Sequence, residues 1–260
     1  MTQILAARTA AVPRYSAYDL FAEVYDRHWA KSFSSDIQPV IFDHILPLIP
    51  RGGRILDLCC GTGRLVNWLS QQGYSAVGLD GSPRMLEIAQ LNAPDAVFML
   101  ADARDFRLAR PCHAVFSTYD SLNHLPTTSD LAAVFRNVHA ALGPGGYFFF
   151  DITTAKGFDV SCCKEMTITG EDYVCLVDND FDQRKAVGSS EITIFRNEGG
   201  GWNRTDLVIR EYVYSEETIR EELLRAGFQT ALSFDATVDF GMRRAMGRQF
   251  FLAATGQLSH

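Results

Sequence analysis

The chain is short of positive charge. Against 31 Asp and Glu it has only 24 Lys and Arg, a formal net charge of −7. A nucleic-acid surface needs clustered cations to neutralise phosphates, and only Arg243-Arg244 with Arg248 comes near a local basic patch. No nucleic-acid partner is expected. No apolar run reaches the length of a membrane span, and residues 1–12 are too short and broken for a secretory signal. No membrane partner is expected, and the chain reads as cytoplasmic. There is no Cys-x-x-Cys: the six cysteines are the pairs Cys59-Cys60 and Cys162-Cys163 with Cys112 and Cys175. That layout suits neither a disulfide framework nor a zinc ribbon, and it fits a reducing compartment. Cys59 and Cys60 read as small buried residues rather than nucleophiles. His44, His113 and His139 are scattered, so no metal site is expected. Low-complexity tracts are also missing, and 47% of the 260 residues are hydrophobic. That suffices for one sizeable core, or a core with a lid.

What is present is a repeating pattern. Residues 1–13 read as loosely attached. A first amphipathic helix is expected from Ser16 to about Trp29, with Leu20, Phe21, Val24, Tyr25 and Trp29 at helical spacing. A second is expected from Ser35 to Leu48, capped by Ser35-Asp36 and ended by Pro50 and Gly52-Gly53. Strands then alternate with helices: Ile55–Leu58, Ser75–Asp80, Ala96–Leu100, Ala114–Thr118 and Tyr147–Asp151. Ser82-Pro83 starts one intervening helix, and another runs from about Ser129 to Leu142 until Gly143-Pro144-Gly145-Gly146 stops it. Largely apolar strands alternating with helices mean a parallel sheet covered on both faces. After residue 151 come β-rich segments, Met166–Val177, Glu191–Arg196 and Leu207–Tyr214, read as an inserted antiparallel meander with one polar face, a lid over a site. A helix from Ser215 to Gly227 and two closing strands, Phe228–Asp235 and Gln249–Ala254, finish the chain as a hairpin on the sheet edge. Four parts are expected: a helical cap (1–49), a cofactor-binding core (50–151), a lid (152–214) and the closing elements (215–260).

The stretch that organises the rest is Asp57-Leu-Cys-Cys-Gly-Thr-Gly63, an apolar strand running into a glycine turn and a helix. Open α/β sheets hold nucleotides there. A dinucleotide site wants Gly-x-Gly-x-x-Gly, but after Gly61 and Gly63 the third position is Val66. Asp57 would also repel a pyrophosphate, whereas it favours the sulfonium and ammonium of S-adenosylmethionine. Asp80, ending the second strand, can accept the ribose hydroxyls, with Gly81 beside it; its other reading is a turn residue. Asp102 can accept from the adenine amino group while the Ala103 N–H donates to the ring, or Asp102 is a cap. Met85 can cover the adenine face, or is core.

As a set, Asp57–Gly63, Val77-Gly-Leu-Asp80-Gly-Ser-Pro-Arg-Met85, Ala101-Asp102-Ala103-Arg-Asp105-Phe and Leu142-Gly-Pro-Gly-Gly146 resemble the successive motifs of class I S-adenosylmethionine-dependent methyltransferases. One departure is Cys59, where many members have glycine. The resemblance implies a Rossmann-like α/β fold with a mostly parallel seven-stranded sheet and an antiparallel β lid after strand five. It also implies S-adenosylmethionine as cofactor, with Cys60, Gly61 and Gly63 in its turn. The layout further resembles the deoxyamino-sugar N-methyltransferases, through a Tyr-Asp-bearing N-terminal helix, Ser117-Thr-Tyr-Asp-Ser-Leu-Asn-His-Leu125 and the lid. By that resemblance Tyr25 lies over the methionine end of the cofactor.

Methyl transfer asks the protein to align two reactants and remove one proton. His124 follows the fourth strand at the carboxyl edge of the sheet, where an imidazole can accept that proton; its alternative is a helix-start residue bonded to backbone. His124 and Tyr25 are the expected catalytic residues. Trp29 offers an aromatic face for the sulfonium or glues its helix to the core. Tyr119 offers backbone groups to the methionine moiety, and Asn123 touches substrate or forms a turn. Asp151 faces the acceptor or caps the next segment. The expected function is transfer of a methyl group to nitrogen or oxygen of a small-molecule acceptor by a monomer or homodimer. A non-catalytic cofactor-binding regulatory module and an NAD(P)-dependent oxidoreductase stand as alternatives.

Overall fold

A computed structural model describes residues 5–6, 16–161 and 165–257. The N-terminal expectation for 1–13 falls outside them apart from Leu5–Ala6, as does the pair Cys162-Cys163. The chain begins with a two-residue strand β1 (Leu5–Ala6) and helix α1 (Ser16–Tyr25). A π-helical turn, Asp26–Ala30, leads directly into α2 (Lys31–Val40), and a second, Ile41–Ile45, into a short 3₁₀ turn ending at Leu48. The two separate helices expected from sequence are therefore one continuous helical run. Ser35 is not a cap: its hydroxyl donates to the Lys31 carbonyl inside the helix.

The alternating unit follows: β2 (Arg54–Leu58), α3 (Arg64–Gln71), β3 (Ser75–Asp80), α4 (Pro83–Asn92), β4 (Val97–Leu100), β5 (Cys112–Ser117), α5 (Thr128–Ala141) and β6 (Leu142–Thr153). Strand β6 begins before Tyr147 because Leu142 already pairs with Cys112 of β5; the register then shifts, and pairing resumes at Tyr147 with Ala114. A short α6 (Ala155–Ser161) leads to β7 (Met166–Thr169), β8 (Tyr173–Asp182), β9 (Val187–Glu198) and β10 (Gly201–Tyr212). The first lid segment is thus a hairpin turning at residues 170–172, and the lid has four strands. Helix α7 (Glu216–Arg225), β11 (Thr230–Asp235) and β12 (Arg248–Ala254) close the chain.

The main sheet runs β4-β3-β2-β5-β6-β12-β11, with β1 added parallel at the β4 edge. The strands from β4 to β6 are parallel and β12 alone runs against its neighbours, so the expected seven-stranded, mostly parallel sheet is present. Successive side chains of a strand point to opposite faces. Phe148 and Phe150 accordingly stack under α5 and α7 with Phe135, Phe228 and Phe251, while Phe149 lies on the other face parallel to Phe250, their rings 5.4 Å apart. Each buried phenylalanine contributes about 1.5–3 kcal/mol. These rings make the centre of the sheet a rigid base for the turns at its carboxyl edge.

The lid is a separate antiparallel sheet, β7-β8-β9-β10. Its inner face is apolar: Cys175, Val177, Ile192, Ile194 and Ile209 pack against Phe21 and Val24 of α1. Helix α1 lies between core and lid and is tied to both by charge. Glu23 pairs with Arg84 of α4 and with Arg196 of β9, Asp19 accepts from Ser82, and Asp26, in the turn that follows α1, pairs with Arg64 of α3.

Candidate active site

The glycine turn is built for close backbone approach. Its left-handed positions are Cys59 (φ 61°), Gly61 (φ 52°) and Gly63 (φ 74°). A Cβ on Gly63 would sit 2.8 Å from the Ala89 Cβ and 2.9 Å from Phe98, so this glycine lets α3 seat against α4. Cys59, which departs from the glycine of the related motifs, carries the left-handed backbone with a side chain attached, at a cost of roughly 1–2 kcal/mol. The Cys60 N–H donates to the Leu79 carbonyl (3.0 Å) and holds the turn against β3.

A cavity of 290 Å³ opens at the carboxyl edge of the sheet, walled by Leu79, Asp80, Met85, Ala101 and Ala103 on one side and by α1 and the lid on the other. A smaller one of 50 Å³ adjoins it and contains Asp57 and Cys60; Tyr25, Cys59, Gly61, Tyr119 and Ser121 border both. Asp57 is 2% exposed. Burial, with the Asp80 carboxylate nearby, pushes its carboxyl well above the usual range. Burial also raises Asp80, against the opposing pull of the Ser82 (2.9 Å) and Gly61 (2.8 Å) N–H donors it accepts. Among the described residues, the buried Asp57 and the half-buried Asp80 pair with no cation and the buried Thr62 hydroxyl has no hydrogen-bond partner, which fits a ligand that brings positive charge and polar groups to this turn. S-adenosylmethionine has that chemistry.

Most sequence-expected cofactor residues meet at these cavities: Tyr25, Trp29, Gly61, Asp80, Gly81 and Met85, with Ala103 and Tyr119. Phe21 packs on Trp29 with ring centroids 5.2 Å apart. Three are placed differently. Asp102 does not line the cavity, because Arg104 engages its carboxylate through Nε (2.8 Å) and Nη2 (2.5 Å). Gly63 faces α4. Cys60 is buried against β3 and reaches only the smaller cavity.

At the acceptor end, His124 sits on the 3₁₀ turn Ser121–His124 after β5. A carbonyl can only accept, so Nδ1–H donates to the Arg210 carbonyl (3.2 Å) of β10, and Nε2 accepts from the Tyr18 hydroxyl (2.8 Å). Burial holds the imidazole below its ordinary value, leaving a neutral ring at pH 7. The adjacent Asn123 does not reach substrate. It is fully buried, its Nδ2 donating to the Thr153 and Tyr212 carbonyls (both 2.9 Å) and its Oδ1 accepting from the Thr153 N–H (2.9 Å). It fastens β10 of the lid to β6 of the core.

Tyr18 and Glu211 were not visible as site residues in the sequence. Tyr18 carries the hydroxyl that meets His124. Glu211 of β10 lines the cavity, and among the described residues no hydrogen bond or ion pair engages it; burial, aggravated by Asp120, drives its carboxyl well up. Arg248, which with Arg243-Arg244 came nearest to a local basic patch, is 12% exposed and donates to Asp151 and to Asp120 (2.9 Å). Asp151, fully buried, accepts the Tyr119 N–H (2.7 Å) and the Asp120 N–H (3.0 Å) and does not face the acceptor. Three carboxyls around one guanidinium make this end of the cavity acidic. A second cavity, of 210 Å³, continues past Asp120, Glu211 and Arg248.

Comparison with known proteins agrees with this geometry. Residues 55–146 match a family model described as a methyltransferase domain. The Bacillus subtilis protein YqeM, whose name carries a methyltransferase assignment and no substrate, is 27% identical over 231 residues, 82% of this chain and 86% of its own. The dTDP-3-amino-3,4,6-trideoxy-alpha-D-glucopyranose N,N-dimethyltransferase of Streptomyces venezuelae is 33% identical over 145 residues, 53% of this chain and 61% of that relative. Among solved structures, an S-adenosylmethionine-dependent methyltransferase of Clostridium acetobutylicum superposes with a TM-score of 0.74 at 23% identity, covering 92% of this chain and 99% of that one. These matches favour a methyltransferase over the dinucleotide-dependent oxidoreductase, which Val66 and Asp57 already disfavoured. With the motif spacing and the sheet order already in hand, residues 55–146 carry a methyltransferase domain, on a fold shared with an S-adenosylmethionine-dependent methyltransferase.

Proposed function

We propose that the protein methylates the nitrogen of a small-molecule amine, an amino sugar being the acceptor type most in keeping with the site. The observation that carries this reading is Glu211, a half-buried carboxyl that lines the cavity beside Asp120 and makes no hydrogen bond or ion pair among the described residues. A cationic amine gives Glu211 the hydrogen-bonded cation that Asp120 and Asp151 already have in Arg248, whereas a neutral hydroxyl does not. The named activity of the Streptomyces relative lies in the same chemical class.

When bound, S-adenosylmethionine supplies a methyl group on a positively charged sulfur, ready for in-line displacement. The chain's own residues do the rest. Asp57 and Asp80 would hold the cofactor's positive and hydroxyl groups, Met85 and Ala103 would flank its base, and Tyr25 would cover it from α1. Glu211 and Asp120 orient the acceptor ammonium. His124, kept neutral by burial, is the proton acceptor: as a proton leaves the amine for the Tyr18 oxygen, the Tyr18 proton passes to Nε2, and the Arg210 carbonyl steadies the resulting imidazolium through Nδ1–H. The amine lone pair freed in this way would be the nucleophile for the cofactor's methyl group, with the sulfur–methyl bond breaking and S-adenosylhomocysteine as leaving group. The lid excludes water from the exchange.

The test is incubation with S-adenosylmethionine and either dTDP-3-amino-3,4,6-trideoxy-glucopyranose or its 3-hydroxy counterpart, followed by mass spectrometry. Methylation of the amine and not of the alcohol is expected. Methylation of the alcohol in preference to the amine refutes the reading.

A further inference from the structure

We propose that Asp151 and Arg248 are positioning residues for methyl transfer, holding the Tyr119-Asp120 turn so that one residue faces the cofactor and the next faces the acceptor. The inference rests on the function proposed above only for the identity of the acceptor.

The turn is unusual in its backbone. Tyr119 (φ 65°) and Asp120 (φ 50°) are consecutive, both left-handed and neither glycine. Side chains disfavour that conformation, and two in succession persist only when the surroundings over-determine them. Asp151 does so: its two carboxylate oxygens accept the two N–H groups of the turn, one each. A carboxylate with no exposed surface needs a counter-charge, and Arg248 provides it, while its second nitrogen binds the Asp120 side chain. Thr153 donates to the same Asp120 oxygen (2.7 Å).

The guanidinium is also held by rings. Arg248 lies 5.1 Å from the Phe33 centroid and 5.5 Å from that of Tyr119, whose rings are 4.1 Å apart. Strand β12 delivers Arg248 to this spot because it returns antiparallel along β6, pairing Arg248 with Thr153 and Phe250 with Asp151. The last strand of the sheet therefore fixes a turn that follows β5. Tyr119 borders both the cofactor cavity and its smaller neighbour, and Asp120 borders the acceptor end. A turn that relaxed would misplace both at once.

Asp151→Asn keeps the volume but can accept only one of the two N–H groups. Arg248→Lys keeps the charge and loses the fork. Each full-length variant is compared with the wild type by calorimetric titration of S-adenosylhomocysteine, by kcat on the amine probe, and by circular dichroism for the folded fraction. Expected per folded molecule are a five- to tenfold weaker affinity and a ten- to hundredfold lower kcat for Asp151→Asn. Arg248→Lys is expected to fall between it and the wild type, and the double variant to be no worse than Asp151→Asn alone. Affinity and kcat within twofold of the wild type in the folded fraction would overturn the proposal, as would multiplicative losses in the double variant. If Asp151→Asn does not fold, Arg248→Lys decides by the same two measurements. The titration requires no acceptor, so failure of the amine reading leaves this test intact.

Discussion

Replacing Glu211 by Gln removes one charge and almost no volume, and its consequences have opposite signs for binding and for stability. In the loaded enzyme, the carboxylate hydrogen-bonds an ammonium in a site sheltered from water. Hydrogen bonds to charged groups contribute about 1.5–3 kcal/mol, which at about 1.4 kcal/mol per decade is a rise of roughly 10- to 150-fold in KM for the amine. The cofactor KM, governed at the other end of the cavity, is expected to stay within about twofold of the wild type, since the lost bond does not reach it. In the free enzyme the same carboxyl is a liability, because burial and Asp120 favour its protonated form. Its folded-state value is raised above the unfolded value of about 4.3. The native state therefore holds more protons than the unfolded chain in that window, and wild-type stability falls as pH rises from about 4.3 through the native value. Gln has no such dependence. The melting temperature of Glu211→Gln is expected to match the wild type near pH 4 and to exceed it increasingly toward pH 8. Steady-state kinetics with the amine probe and melting curves across this range check both signs. An unchanged amine KM together with a pH-independent difference in melting temperature would sink the argument.

Three further outcomes are expected. Asp80→Ala strips the acceptor from the Gly61 and Ser82 N–H groups; S-adenosylhomocysteine affinity falls by about tenfold or more, and its thermal stabilisation shrinks by about 1.4 kcal/mol, whereas NAD stabilises neither protein. His124 has its folded value below the unfolded one of about 6.5. Its contribution to stability is thus complete above that pH and is lost as pH falls through and below it, a slope that His124→Asn removes from melting curves. Asn123→Ala orphans the Thr153 N–H and two carbonyls, so roughly 3 kcal/mol of stability is lost. Calorimetry shows that loss as a lower melting temperature, with cofactor affinity of the folded protein unchanged.

The fold was legible wherever its signal was local. Apolar strands, glycine turns and helix starts recur at short spacing, and Ser82, expected to cap α4, does accept the Met85 N–H (3.1 Å). The same locality misled at Ser35, where a good capping residue lies inside a continuous helix, because the π-helical turn at Asp26–Ala30 lets the chain run on without a break. It misled again at Asn123, whose polarity suits either a ligand or a brace; only the arrival of Thr153 and Tyr212 from distant strands decides for the brace.

By itself the sequence located turns that line the cavity at the carboxyl edge of the sheet, though not the turning of Asp102 toward Arg104. Asp57, Gly61, Asp80 and Met85 lie on successive strand–turn–helix units, and each unit places its own residue at the carboxyl edge of the sheet, so reading them in order suffices. Tertiary structure alone decided the acceptor end. Tyr18, Asp120, Glu211 and Arg248 come from the first helix, a turn after β5, the lid and the last strand, and no local pattern marks any of them. They converge because β12 returns antiparallel beside β6 and because the lid folds its inner face over α1. The charge of the site, three carboxyls around one guanidinium, exists only after those long-range pairings have formed.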